Sequence, residues 1–157
     1  MSHLSLVTLG SLRIEMNGRI LERFRTNRVP ALLLYLAVED ALHDPRPHRR
    51  DEIMALLWPG LPEKSARANL RQNLYLLRKT IAAASVKNEP DTKPVEFLLG
   101  DYQSLQINPQ AVYDLDVAAF ISLLHSTHTH DHLYLETCSL CQQRLQEATA
   151  LYQGPFL

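Results

Sequence analysis

Apolar and polar positions along this chain follow two periods in turn, and the change of period marks out its elements. Over the first 24 residues, LSLVTLG, SLRIEMNG and RILERF read as short strands. Alternation is clearest at Leu12, Ile14 and Met16 and looser at Ile20 and Leu21. Asn17-Gly18 predicts a two-residue hairpin, because both positions accept the positive φ of a type I′ turn. A small antiparallel sheet should therefore come first. From Thr26 the spacing becomes helical: Val29, Leu32, Leu33, Leu36 and Ala37 share one face, with Thr26 as the expected cap and Pro30 in the tolerated first turn. This helix should end between residues 40 and 44.

DPRP at 44–47 breaks the pattern, and RRDEIMALLWP then predicts a short second helix. Its Ile53, Met54, Leu57 and Trp58 face inward, Asp51 and Glu52 lie in the first turn where the helix dipole favours anions, and Pro59 stops it. GLPEK leads into a third helix over residues 62–84, which would extend ~33 Å at 1.5 Å per residue. NEPDTKP at 88–94 reads as a loop by composition, and residues 95–107 read as a second hairpin around Asp101-Tyr102-Gln103. Beyond Asn108-Pro109 the segments DVAAFISLLH and LETCSLCQQRLQEATALY, joined by THTHDH, predict two antiparallel helices. The closing GPFL leaves an apolar end and reads as a truncation of a longer helical module.

The third helix carries the chemistry. Advancing 100° per residue, Ala66, Leu70, Leu74, Leu77 and Ile81 fall within an arc of about 80°, the expected buried stripe. Lys64, Arg67, Arg71, Tyr75 and Arg78 lie directly beside it, with Gln72 and Lys79 a little further round. Arginine and lysine are good helix formers and every surface helix needs a solvated face, so the charge alone decides little. Two features point to nucleic acid. No acid is interspersed from Lys64 to Lys79 to pair with the five cations. Asn69, Gln72 and Asn73 also bring amides suited to base edges, and Arg71 a fork that matches guanine. Two short helices, a long basic helix and a hairpin follow the order of a winged helix-turn-helix, in which the basic helix enters the major groove and the hairpin reaches the flanking backbone. The link from Trp58 to Ser65 is longer than in a minimal helix-turn-helix.

A net charge of -1, taken alone, opposes this reading, but the sum conceals a division of the chain. Residues 1–109 hold fifteen Lys/Arg against twelve Asp/Glu, whereas 110–157 hold Arg144 against five acids. The two parts therefore sum to +3 and -4 and suggest different partners. At 157 residues with 46% hydrophobic content, the chain can bury one substantial core. It has neither an apolar run of about eighteen residues nor a secretion-signal layout at its start, which predicts a soluble, cytoplasmic protein with no membrane partner. P-loop, Rossmann, nucleophile-elbow and paired-carboxylate patterns are lacking, so no enzyme activity and no cofactor are expected.

The wording of several segments is more specific than their periodicity. LVTLGSLRIEMNGRIL, ALLLYLAVE, LLWPGLPEKSARANLRQNLYLLRKTI and DLDVAAF followed by ALYQGPFL resemble the Streptomyces antibiotic regulatory protein family. The resemblance covers nearly the whole chain. It implies an α+β fold: an OmpR-type winged helix-turn-helix over 1–109, with an N-terminal antiparallel sheet and a C-terminal hairpin wing, followed over 110–157 by the start of an α-helical, TPR-like activation domain. The implied function is a sequence-specific, double-stranded DNA-binding transcriptional activator, with RNA polymerase as a further partner and self-association on tandem sites. By the same resemblance the recognition helix spans 64–81, and contacts to bases or adjacent phosphates fall on Asn69, Arg71, Gln72, Asn73, Tyr75 and Arg78. Leu76 stands where many response regulators of this type carry arginine, so their specificity does not transfer. The wing tip, Gly100 to Gln103, has no arginine, which favours phosphate contacts from Tyr102, Gln103 or Ser104. A receiver domain ahead of the winged helix is not expected, nor is regulation by aspartyl phosphorylation. The rival function is a winged-helix protein-interaction module that does not bind DNA.

Other candidate chemistry receives structural readings. Arg49 and Arg50, after a proline loop and at a helix start, read as phosphate clamps rather than plain surface charges. His125, His128, His130 and His132, with Asp131, could ligate a transition metal, but a polar interhelical loop is the preferred reading. Cys138 and Cys141 lack a second cysteine pair and read as reduced packing residues, so no metal site is expected. Asp116 reads as the N-cap of the helix starting near Val117, and Trp58 as a plug between helices two and three.

Overall fold

The fold is α+β, a winged helix-turn-helix behind an N-terminal sheet and followed by a helical hairpin, in a computed structural model that describes residues 3–22, 24–43, 45–85 and 96–156. The expected loop at 88–94 and the first residue of the expected wing, Val95, lie outside the described residues. Strands β1 (His3–Val7), β2 (Arg13–Met16) and β3 (Arg19–Ile20) form the leading meander, with Leu4 opposite Met16 and Leu6 opposite Ile14, all four buried on one face. The β2–β3 turn has φ of 52° at Asn17 and 75° at Gly18, the two positive values that the Asn-Gly pair was expected to supply.

Three helices share one core with that face. Helix α1 (Arg28–Leu42) buries Val29, Leu32, Leu33, Leu36 and Ala37, as its spacing requires. Thr26 does not cap it: Asn27 holds that position without a side-chain bond, and the Thr26 hydroxyl instead donates to Asn73 Oδ1 at 3.4 Å. Two residues, His48–Arg49, form β4 ahead of α2 (Arg50–Leu57), and α3 spans Glu63–Ser85. Buried Trp58 ends α2 and joins the core with Ile53, Leu57, Leu70 and Leu77, in the plug position. Arg28 donates to the Leu57 carbonyl and so fastens α1 to the end of α2.

The wing is a three-stranded sheet in the order β4-β6-β5, with β5 at Leu98–Gly100 and β6 at Ser104–Ile107. The alternation of the hairpin did not reveal β4, because two residues carry no period and gain their ladder only from β6. His48 on β4 is buried, with Nε2 3.3 Å from Asp40 Oδ1 on α1 and its ring edge-on to Tyr35.

Past the wing the chain returns to the first sheet. Strand β7 (Val112–Leu115) lies parallel to β1, so the N-terminal sheet runs β3-β2-β1-β7 and is antiparallel only in its leading meander. Helix α4 (Asp116–His128) follows directly. A 3₁₀ turn at Leu135–Thr137 and helix α5 (Ser139–Leu151) complete the hairpin, so α5 starts four residues later than its apolar pattern suggests. Phe120, early in α4, packs on Tyr152 just past α5, and Arg144 of α5 donates to the Ser126 carbonyl late in α4; the two helices run antiparallel.

Asp116 is the first helical residue of α4 rather than its cap, and its carboxylate works across the fold. It accepts bonds from Thr8 N and Leu9 N at 2.8 Å and from Thr8 Oγ1 at 2.6 Å, as well as from Val117 N. The chain end closes over the same corner: Gly10 N donates to Pro155 O, Leu9 bridges Phe156, and Gly154 lies so close to Gly10 that a Cβ there would sit 2.9 Å from the Gly10 Cα.

Candidate nucleic-acid interface

Helix α3 divides along its length much as its wheel suggests. Ala66, Leu70, Leu74, Leu77 and Ile81 are buried against α1, α2 and the sheets. Lys64, Arg67, Arg71, Gln72, Tyr75 and Lys79 are exposed, and they form one polar, cationic strip along the opposite side. Glu63 pairs with Arg67 at 2.7 Å. Among the described residues no acid lies within ion-pair distance of Lys64, Arg71 or Lys79. The strip can therefore approach a polyanion without first giving up a partner at those three positions.

Asn73 does not join this strip. It is buried, its amide donates to the Asn69 carbonyl at 2.8 Å, and its oxygen receives the Thr26 hydroxyl. As a base-reading residue it is corrected to a structural one, a small polar link between α3 and the segment before α1. The spacing held the signal: Asn73 comes three residues after Leu70 and four before Leu77, which places it at the edge of the apolar arc. Asn69, one turn earlier, is half-buried and keeps its side chain free of protein partners among the described residues.

Arg78 and Arg50 tie the strip to the wing. Arg78 donates to the Leu98 carbonyl at 3.0 Å and pairs with Glu96 at 3.1 Å, so it braces β5 against α3 while its side chain stays partly exposed. The backbone N–H of Arg50 donates to the Gln103 carbonyl, which joins the start of α2 to the wing turn. Burial and then the nearby Arg78 charge push the Arg50 guanidinium below its ordinary value. The Nε atoms of Arg50 and Arg78 are both buried without a hydrogen-bond partner among the described residues. Two crowded, incompletely satisfied cations are a place where an anion would relieve repulsion. Arg49 is different: it is exposed and chelated by Asp51 at 2.5 Å, and that carboxylate raises its pKa.

At the wing tip Tyr102 is the most exposed aromatic residue of this face, and Gln103 beside it donates to the Tyr102 hydroxyl at 3.2 Å. Asp101 shapes the turn. Its Oδ1 accepts the Gln103 and Ser104 backbone N–H groups at 2.7 and 2.8 Å, and these bonds, Ser104 first, hold its carboxyl below the usual range. The fold thus places Arg50, Arg78 and the wing on one side of α3, and Lys64, Arg67, Arg71, Gln72 and Tyr75 along it. Asn73 lies apart from this group.

No family model matches the sequence, and no curated protein matches it. Among solved structures the fold is similar to that of Mycobacterium tuberculosis EmbR in complex with a low-affinity phosphopeptide, at a TM-score of 0.71 and 20% sequence identity. The alignment covers 100% of this chain and 38% of that one, so the chain spans well under half the length of EmbR. At this identity the likeness concerns the fold. It extends through both the winged helix and the helical hairpin.

Proposed function

We propose that this chain is the sequence-specific, double-stranded DNA-binding part of a cytoplasmic transcription activator, with α3 reading the major groove and the wing contacting the flanking backbone. The observation that carries the reading is the exposed strip of Lys64, Arg67, Arg71, Gln72 and Tyr75, set on a winged-helix frame and bordered by the crowded Arg50–Arg78 pair. Arg71 and Gln72 then serve as base readers, with Asn69 beside them. Lys64, Arg67, Arg49, Arg50, Arg78, Tyr102 and Gln103 serve as phosphate contacts that fix register. Residues 1–109 form the DNA-binding unit, and 110–157 begin a TPR-like activation module that docks on it through β7 and Asp116. RNA polymerase and a second copy on a tandem site are the partners that the sequence resemblance supports.

Selection from a random duplex library tests DNA binding and half-site spacing together. On the selected site, Arg71→Ala should cost ~1–3 kcal/mol of preference over scrambled duplex, and Arg67→Ala should weaken both duplexes alike. If both variants bound cognate and scrambled duplex as the wild type does, α3 would not be the reading helix.

One observation favours a second reading, a protein-docking platform: Leu56 on α2 and Leu61 before α3 are 55% and 45% exposed on the helix-turn-helix. Salt separates the two. A DNA reader loses affinity with a log–log slope of ~0.9 per neutralised phosphate, whereas a docking platform shows no comparable duplex binding.

A further inference from the structure

The α4–α5 hairpin has too little apolar interior to explain its own order. Among its described residues only Thr127, Cys141 and Ala148 are buried, and the link between the helices exposes Leu133, Tyr134 and Leu135. Small units with meagre cores are commonly held by a disulfide or a metal. At the tip of this hairpin four donors converge: His130 and His132 from the link, Cys138 just ahead of α5 and Cys141 in its first turn, with all ligand atoms within 4.8 Å of one another.

We propose that His130, His132, Cys138 and Cys141 form a structural zinc site that staples the start of α5 to the link leaving α4. The spacing is His-x-His-x₅-Cys-x₂-Cys, and Cys-x₂-Cys is a recurrent zinc-binding pair. A tetrahedral zinc with Zn–S near 2.3 Å and Zn–N of about 2.0–2.1 Å places neighbouring ligand atoms about 3.3–3.8 Å apart. Two of the observed separations fall in that range and one is slightly shorter: His130 Nδ1 is 3.4 Å from Cys138 Sγ and 3.1 Å from Cys141 Sγ, and His132 Nδ1 is 3.8 Å from Cys141 Sγ.

Hydrogen bonding within the cluster is a poorer account of the same geometry. Nδ1 of a neutral histidine carries either one lone pair or one proton, yet His130 Nδ1 faces two thiols, and a thiol is only a weak donor and a weak acceptor. One cation at the centre satisfies all four donors at once. Two thiolates and two neutral imidazoles leave a zinc site without net charge and with a closed set of ligands, which fits a structural role and gives no position for substrate. His125 and His128, although part of the same histidine-rich stretch, lie on α4 and are not among the four. Their neighbours in sequence therefore differ from them in function, and the pairing of Cys138 and Cys141 with packing alone is incomplete.

The test uses the full chain without an added histidine tag, stripped with a strong chelator under reducing conditions and then titrated with zinc or with cobalt as a spectroscopic substitute. We expect one equivalent per chain, a tetrahedral cobalt spectrum with a thiolate charge-transfer band, and a rise in melting temperature on zinc addition. Cys138→Ser and His132→Ala should abolish the cobalt spectrum, and the His125→Ala/His128→Ala double variant should keep it. Should the cysteine variant fail to fold, thiol alkylation of the wild type gives the same information, since bound zinc should protect both cysteines from the reagent. Equal labelling with and without zinc would overturn the site. So would an octahedral spectrum, or equal metal uptake by Cys138→Ser/Cys141→Ser.

Discussion

The winged helix and the helical hairpin are about equally regular in backbone but are held together by different means. Up to Leu115 the chain buries a continuous apolar cluster drawn from three helices and both sheets. From Asp116 onward two 13-residue helices bury only one threonine, one cysteine and one alanine. The hairpin instead borrows order from its neighbour through the Asp116 carboxylate on Thr8 and Leu9, and through the contact of residues 153–156 with Leu9 and Gly10. A regular helix pair can thus be a dependent structure. Apolar burial in one region supports backbone hydrogen bonds that place the other.

Core truncations should break the comparison most visibly. Leu36 is fully buried at the centre of α1, whereas Leu145 on α5 is only half-buried. Leu36→Ala should destabilise the protein by ~2–5 kcal/mol in urea unfolding, and Leu145→Ala by clearly less. Equal losses would show that the hairpin carries a core of its own.

Removal of the seam ranks next. In Asp116→Ala the buried Thr8 loses the acceptor for both its backbone N–H and its hydroxyl, and an orphaned buried donor costs ~1–3 kcal/mol. Hydrogen exchange should then accelerate across α4 and α5 while α1 keeps its protection. Uniform acceleration over all five helices would mean that the hairpin is integrated with the core rather than leaning on it.

Asn73 sharpens the contrast within α3, whose buried arc packs on the core and whose neighbouring arc is exposed and cationic. Asn73→Ala removes the links to the Asn69 carbonyl and to Thr26, and should cost about 1 kcal/mol of stability. The ratio of cognate to scrambled duplex binding should stay unchanged, in opposition to Arg71→Ala. A change in that ratio with stability intact would return Asn73 to the reading strip.

These cases also show what could be read from the residues in advance. The Asn17-Gly18 turn, the stripe on α3 and the wing hairpin were legible because each is local: a turn type demands two residues, and a stripe repeats along one segment. Strands β4 and β7 were not, since their ladders come from β6 and β1, far away in the chain. The roles expected of Thr26 and Asp116 failed similarly. A side chain suited to capping finds a better partner only once the fold brings it near, Asn73 in one case and Thr8 in the other. The four soft ligands were all visible as letters, but their convergence depends on the 3₁₀ turn that delays α5 to Ser139.

The smallest effect belongs to the wing tip, where one exposed carboxylate does what an arginine does not. Asp101 accepts the Gln103 and Ser104 N–H groups, and these bonds lower its pKa in the folded chain relative to the unfolded one. The contribution of a depressed carboxyl is complete above its unfolded pKa and is lost as pH falls through the folded value. The turn should therefore stay ordered to a pH below the ordinary aspartate range, then loosen. The Ser104 amide resonance should report a titration midpoint below that of a free aspartate, absent in Asp101→Asn. The same substitution should leave the melting temperature almost unchanged, because the carboxylate is fully solvated and stitches only its own turn. A midpoint at the ordinary value would separate the turn geometry from the carboxylate's charge and make the backbone of the β5–β6 hairpin the sole author of the wing's shape.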